Sequence, residues 1–324
     1  MPKTLSTTSA VAIDRPVLLS CRPLLAAQHT NFVTINCKKK VLVIGANSFV
    51  ARYFLSAGDA IGYSKSGPLT VDITDRKSID YVICKEKPDV ILNFATYGNL
   101  RSHDNWEQIW ETNVVGTRNV LESLRSIAPE VIYVHIGSYS EYGLTHQMMK
   151  EDQCCTPVSY YGLAKLLASE TVTAYWRVHG LKTVVLRITS VYGPGEQPER
   201  LFPTLFRCYM KNEPFTLWNS KVGRDFTWVG DVCHIAWKFA DNGCFGRFGE
   251  IFNVSRGKQI LIKDAVQTFQ TVVGPLKIID LGKDPEPTDS PAWVGDVAKL
   301  SEVINGYEFV GVEEGLRMMN HALQ

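Results

Sequence analysis

Val41-Leu42-Val43-Ile44-Gly45-Ala46-Asn47-Ser48-Phe49-Val50-Ala51-Arg52 is the stretch on which the fold turns. Four apolar residues run straight into a glycine, and a segment with helical spacing follows over residues 49–57. A run that is apolar on both faces reads as a buried parallel strand. Strand, tight turn and helix in that order make a dinucleotide site, because the helix N-terminus offers unpaired N–H groups and a positive dipole end to a pyrophosphate. Of the three glycines such a turn often carries, only Gly45 stands; Ser48 and Ala51 fill the other places. Both are small, so close backbone approach survives. Taken alone, the stretch is equally an ordinary strand–turn–helix.

Outward from it, strands and helices alternate. Residues 60–63 read as a second strand, 71–74 sit near a third element, and 76–87 have helical spacing stopped by Pro88. Strands at 90–92, 131–136 and 183–188 are separated by helical patterns at 106–126 and 160–179. The alternation predicts the α/β class: a Rossmann-type doubly wound parallel sheet with a smaller mixed α/β C-terminal substrate-binding part. After Tyr192, Gly193-Pro194-Gly195 and further prolines loosen the pattern. The expected division is a tail over 1–36, an NAD(P)-binding domain over 37–190, and a mainly substrate-binding part over 191–324. Elements of the last part are free to return to the sheet.

Composition narrows the classes. The chain has 324 residues, is 45% hydrophobic and carries a net charge of +1, so a large core is feasible and no strong field favours nucleic acid or membrane. No apolar run approaches the ~20 residues a membrane span needs. Residues 1–40 hold six Lys/Arg against one acid. The Ser/Thr-rich tail over 1–36 fits an organellar transit peptide, a split secretory signal, a disordered tail or an upstream start. Eight cysteines lack any C-x-x-C pair, which points to reduced thiols and a cytoplasmic chain, with organellar targeting by the tail as the alternative. His103, His135, His146, His179 and His234 lack metal-ligand spacing, so no metal is expected. His135, inside an apolar strand, reads as a satisfied core residue. Trp106, Trp110, Trp176 and Trp237 read as packing on helices.

Tyr161 and Lys165 lie four residues apart on a predicted helix and share one face. A phenol ionises near pH ~10, and a close ammonium lowers that value enough to move protons near neutrality. Ser138, at the carboxyl end of the preceding strand, adds a hydroxyl that polarises a carbonyl during hydride transfer. At the end of the second strand, Ser64 and Lys65 offer a hydroxyl and an ammonium where NAD sites often place an acid. This tips the cofactor expectation narrowly to NADP(H) over NAD(H). Asp72 is a candidate acceptor for the adenine amino group, or an N-cap, for which Asp75 is better placed.

At this point the chain resembles the extended short-chain dehydrogenases/reductases, the nucleotide-sugar epimerase, dehydratase and reductase group. The resemblance runs from Val41 to the C-terminus. It rests on the glycine turn, Asn93-Phe94-Ala95, Asn113-Val114-Val115-Gly116-Thr117, and the segments from Ser138 to Gly143, Tyr161 to Lys165 and Arg187 to Pro194. Gly223-Arg224-Asp225-Phe226-Thr227-Trp228-Val229-Gly230-Asp231-Val232 and Glu313-Glu314-Gly315-Leu316 complete it. The resemblance implies that Tyr161 is the general acid/base, Lys165 its partner and Ser138 the carbonyl donor. It implies a cofactor cradle of Gly45, Asn47, Ser48, Phe49 and Val50. Ser64, Lys65, Asp72 and Ile73 then stand at the adenosine end. Phe94, Ala95, Thr96, Asn113 and Ile188 line the cofactor with Tyr161 and Lys165. Arg224 matches an arginine that grips a substrate diphosphate. Tyr97, Ser138, Tyr139, Ser140, Tyr161 and Ser190 are the remaining substrate candidates, although many members carry Asn at the place of Ser190. Asp225 and Asp231 read as structural.

Departures bear on the chemistry. The 4,6-dehydratases follow the Ser/Thr with an Asp-Glu pair, whereas Tyr139 and Ser140 stand here, which counts against dehydration. The short interval from Gly45 to Asp72, and Asp72-Ile73-Thr74-Asp75 before Lys87-Pro88-Asp89-Val90-Ile91-Leu92-Asn93, resemble 4-keto-deoxysugar reductases. Thr96-Tyr97-Gly98 is similar to CDP-sugar 4-reductases. The expected activity is hydride transfer at a sugar carbon, C4 first, of a nucleotide-diphosphate sugar. A 4-ketoreductase stands narrowly ahead of a 4-epimerase with tightly bound NAD, and a catalytically silent binding subunit is the alternative from another class. The family implies a homodimer, with no nucleic-acid or membrane partner.

Overall fold

A computed structural model describes residues 38–100, 102–284 and 289–323. The tail and its targeting readings lie outside the described residues. In chain order the elements are β1 (Val41–Ile44), α1 (Phe49–Ala57), β2 (Ala60–Tyr63), α2 (Arg76–Glu86), β3 (Val90–Asn93), α3 (Trp106–Trp110), α4 (Gly116–Ile127), β4 (Ile132–Ser138), α5 (Tyr160–His179) and β5 (Thr183–Ile188). There follow β6 (Ser190–Tyr192), α6 (Leu201–Lys211), β7 (Phe215–Leu217), β8 (Gly223–Arg224), β9 (Phe226–Trp228), α7 (Val229–Asp241) and β10 (Ile251–Val254). β11 (Ile260–Leu261), α8 (Ile262–Val272), β12 (Ile278–Asp280), α9 (Ala298–Val303) and α10 (Val312–Leu323) close the chain.

The main sheet has six parallel strands in the order β10-β5-β4-β3-β1-β2. Side-chain alternation sorts each strand between two cores. Val43, Leu92, Val134 and Leu186 face one layer with Phe54 of α1 and Trp237 of α7, whose rings stack at 4.3 Å. Leu42, Ile91, Tyr133 and Val185 face the other, with Ile79 of α2, Leu121 of α4 and Val172 of α5. Both sheet faces are therefore covered by helices, as an all-parallel sheet requires.

Local chemistry sets the ends. Asp75 caps α2 by accepting from the Lys77 N–H, and Lys87 turns left-handed before Pro88. Ser159 caps α5 at its start and Gly180 closes it left-handed. The single long helix expected over 106–126 is instead three pieces, because Glu111–Val115 forms a π-helical turn between α3 and α4. Buried Asn113 sits in that turn, donates to the Tyr97 and Ile109 carbonyls, and accepts from the Thr96 hydroxyl. Such turns recur near functional sites.

The chain after β5 builds two-stranded pairings β6 with β9, β7 with β12 and β8 with β11. It also returns β10 to the main sheet beside β5, with Ile251 opposite Val185 and Val254 opposite Ile188. Asp231 of α7 accepts from the Tyr307 hydroxyl at 2.8 Å and the Val310 N–H at 2.9 Å, tying the C-terminal segment down. Among the described residues no helix is long and apolar enough to cross a membrane.

Candidate active site

The carboxyl ends of β1, β3 and β4 gather most of the sequence-predicted residues. Gly45 leaves β1 at φ +84°, and a Cβ there would lie 2.3 Å from the Ala95 nitrogen. Only glycine allows the turns after β1 and β3 to approach so closely. Ser48 caps α1 by accepting from the Ala51 N–H, and Phe49 and Val50 are buried beneath the helix start. Asn47 reaches across to the Ser66 carbonyl at 2.9 Å, joining this turn to the loop after β2. Ser64 donates to that same carbonyl. The turn thus forms a cradle that a side chain at Gly45 would fill, at a helix N-terminus, which fits a pyrophosphate.

Next to it, Phe94 is buried, and the Ala95 N–H donates to Asn93 Oδ1 at 3.0 Å. Asn113 stands behind this loop with its amide spent on Thr96, Tyr97 and Ile109, so it shapes the cradle through those residues. Tyr97 stacks on His103 with ring centroids 4.2 Å apart. Ile73 is buried. Asp72 accepts from the Thr74 N–H and hydroxyl and pairs with Lys65 at 3.0 Å. Those bonds hold the Asp72 carboxyl below its ordinary range, against the opposing push of burial.

The Ser138 and Thr96 side chains lie close enough to the Tyr161 phenol to favour its ionised form, so the three hydroxyls face one another. Close packing makes this possible. A Cβ on Gly162 would lie 2.3 Å from the Ser140 carbonyl oxygen, so α5 rests directly on the 3₁₀ turn over Tyr139–Glu141. Ser138 Oγ accepts from the Ser140 N–H at 3.1 Å, and its own N–H donates to Glu141 Oε1 at 2.7 Å. Glu141 Oε2 in turn accepts from Arg187 Nε at 2.7 Å in a fully buried ion pair. Burial pushes the Tyr161 phenol above its ordinary range, while Thr96, Ser138 and the charge of Arg200 pull the other way.

Lys165 is buried on the same helix face, but its ammonium is turned to the sheet. It donates to the Ile136 carbonyl and lies 3.3 Å from His135 Nε2. Burial pulls the lysine down to about 8, and the Glu141 charge opposes that. His135 is held well below its ordinary value by burial and then by the Lys165 charge, so it is neutral. The core reading of His135 agrees with its burial, but its partnership with Lys165 carried no signal, since a lone histidine in an apolar strand has no spacing to betray it. Arg200 was likewise missed: a loop arginine that donates to the Asn99 carbonyl at 2.6 Å.

Tyr139 departs from expectation. It is fully buried, its hydroxyl donates to Ser255 at 2.9 Å and its ring meets Tyr142 edge-on, so it belongs to the core and not to the cleft wall. The 3₁₀ turn after Ser138 rotates it inward while leaving Ser140 partly exposed. Ser190 lies in β6 opposite Phe226, and Ile188 ends β5. Arg224 pairs with Asp289 at 3.1 Å and lies over the Trp293 ring. Asp225 accepts from the Gly257 N–H at 3.0 Å, a structural bond like those of Asp231.

Residues 41–255 match the NAD dependent epimerase/dehydratase family. A dTDP-glucose 4,6-dehydratase of Neisseria meningitidis serogroup B is 27% identical over 272 residues, 76% of either chain. The fold is shared with UDP-glucuronic acid 4-epimerase from Bacillus cereus, solved with UDP-glucuronic acid and NAD (TM-score 0.77, 21% identity, 88% of this chain and 98% of that one). It is shared too with RMD from Pseudomonas aeruginosa, complexed with NADPH (TM-score 0.76, 19% identity, 87% and 98%). Six of the similar solved structures are NAD complexes, which overturns the expected preference for NADP(H). The physical reason is visible at Lys65: its ammonium is already matched by the Asp72 carboxylate, so it is not a spare charge awaiting a phosphate.

Proposed function

From the premise that the chain belongs to the NAD dependent epimerase/dehydratase family, we propose that it interconverts C4 epimers of a nucleotide-linked hexose. NAD is kept through both halves of the reaction. The carrying observation is the grouping of the Ser138, Thr96 and Tyr161 hydroxyls, with Glu141, the acid nearest after Ser138 in the chain, already held by Arg187. The places where a dehydratase needs an acid and a base hold core-buried Tyr139 and Ser140, and Glu141 is sealed against Arg187. Dehydratase chemistry is therefore disfavoured despite the Neisseria relative. Lys65 is what put the reductase reading narrowly ahead, and the Lys65–Asp72 pair removes that advantage.

The cradle around Gly45 and Ala95 fits the pyrophosphate of NAD, which when bound supplies the hydride acceptor and donor. Tyr161 takes the C4 hydroxyl proton as the C4 hydride leaves, and a ketone results. Ser138 donates to the ketone oxygen: its Oγ already accepts from the Ser140 N–H, which polarises the hydroxyl outward. Tyr161 returns its proton once the opposite ketone face receives the hydride. Because burial raises the phenol, a positive charge must favour its ionised form; Arg200 already pulls that way, and Lys165, one turn further along the same helix, is the second cation of this reading. Arg224 holds the substrate diphosphate with its forked donors, exchanging the Asp289 carboxylate for it.

The test is to purify the full chain, denature it and identify any nicotinamide released, then incubate the native protein with UDP-, dTDP- and CDP-hexoses. Released NAD and a growing C4 epimer without net NADH support the reading. An empty protein that consumes NADH with a 4-keto sugar sinks it and installs the reductase instead.

A further inference from the structure

β4 carries an unusual polar row through the centre of the sheet. Tyr133 and His135, two residues apart, point to the same face. Asn93 Nδ2 donates to the Tyr133 hydroxyl at 2.8 Å, and that hydroxyl lies 3.4 Å from His135 Nδ1. His135 Nε2 lies 3.3 Å from Lys165 Nζ. All four residues are buried, with relative exposures of 2% or less. An ammonium sealed this far from water is costly unless its protons find acceptors. The Ile136 carbonyl takes one and His135 Nε2 is placed for a second.

We infer that His135 is a positioning residue for Lys165: its neutral imidazole, held as the Nδ1–H tautomer against Tyr133, accepts from the ammonium and fixes where that charge stands relative to Tyr161. This rests on the reading of Tyr161 and Lys165 as the working pair. An ammonium has no lone pair, so Nε2 must be the bare nitrogen while Lys165 is charged. Nδ1 then carries the proton and points at the Tyr133 oxygen. The titratable groups bearing on Lys165 are His135, with Tyr133 beyond it, from β4, and Glu141 from the 3₁₀ turn; Tyr161 stands one turn earlier on α5. Losing the acceptor would make Lys165 easier to deprotonate, so the pair would fail at lower pH.

Two measurements test this. Full-length protein labelled with ¹⁵N-histidine is followed by NMR from about pH 5 to about pH 7, where Lys165 keeps its proton, with His135 assigned by its loss in His135→Gln. His135 is expected to stay neutral with a protonated Nδ1 and a bare Nε2, and Lys165→Met is expected to disturb that tautomer. A protonated Nε2, or a state indifferent to Lys165→Met, overturns the inference whether or not any sugar is turned over. In kinetics, His135→Phe is expected to lower kcat roughly tenfold to a hundredfold with KM little changed. The alkaline limb of its pH profile moves to lower pH, and His135→Gln, which keeps an acceptor, recovers most of the rate. If both variants keep the native kcat and pH profile per folded molecule, His135 only fills space and the inference fails. A silent native chain with the expected tautomer would instead remove the proposed function.

Discussion

Replacing Tyr161 by Phe deletes the hydroxyl that faces Ser138 and Thr96 while keeping the ring that packs near Gly98. Turnover is expected to fall by about 10²–10⁴-fold with NAD content unchanged, which steady-state rates and the cofactor released on denaturation will check. Gly45→Ala acts differently. Its Cβ would collide with the Ala95 backbone at a left-handed φ, so the variant is expected to fold less stably and to be purified without cofactor. Both residues could be read from the sequence, because a glycine after a β-branched run and a Tyr four residues before a Lys have local signatures. The partners of Lys165 could not, since His135 lies 30 residues away on a different element and meets it only when the sheet forms. Lys65 misled for a related reason. An ammonium in a string of polar residues reads as available until Asp72 is seen beside it.

Helix α5 is seated by a contact with no slack. Gly162→Ala would push the helix off the Ser140 carbonyl, and a cost of roughly 1–3 kcal/mol is expected. Because Tyr161 rides on that helix, kcat should drop more than KM rises; thermal melts and kinetics on one preparation separate the two effects. On the other side of the turn, Glu141→Ala would strand the Arg187 charge in the core, and a loss of about 3–5 kcal/mol is expected in urea unfolding. Spacing alone delimited α1, α5, β2 and β5 correctly, since their ends carry caps or turn residues of their own. The π turn in the expected 106–126 helix was not legible. It is stabilised by Asn113 reaching the Tyr97 loop, a tertiary bond that helical periodicity does not encode.

Across the whole molecule, Asp231 links α7 to the C-terminal segment, and burial pushes its carboxyl up to about 7. The folded chain then holds a proton that the unfolded chain releases near its ordinary value. Asp231 therefore supports the fold at low pH, and that support is lost as pH rises through the window ending near 7. Asp231→Asn is expected to flatten the dependence, so denaturation midpoints compared at about pH 4.5 and about pH 8 should differ less than in the native chain. Alternation of strands and helices made the parallel sheet legible, but not the place of β10, a short apolar run whose partner strand lies more than sixty residues upstream. That placement matters while the protein is being made. As the chain leaves the ribosome, β1 to β5 can assemble, yet the far side of β5 stays bare until Val254 has emerged. Through that interval the nascent polypeptide presents an open row of amide and carbonyl groups, a surface that invites a neighbouring chain or a chaperone. A ribosome stalled between residues 190 and 250 would therefore carry a sticky, unfinished sheet, whereas release past β10 seals it.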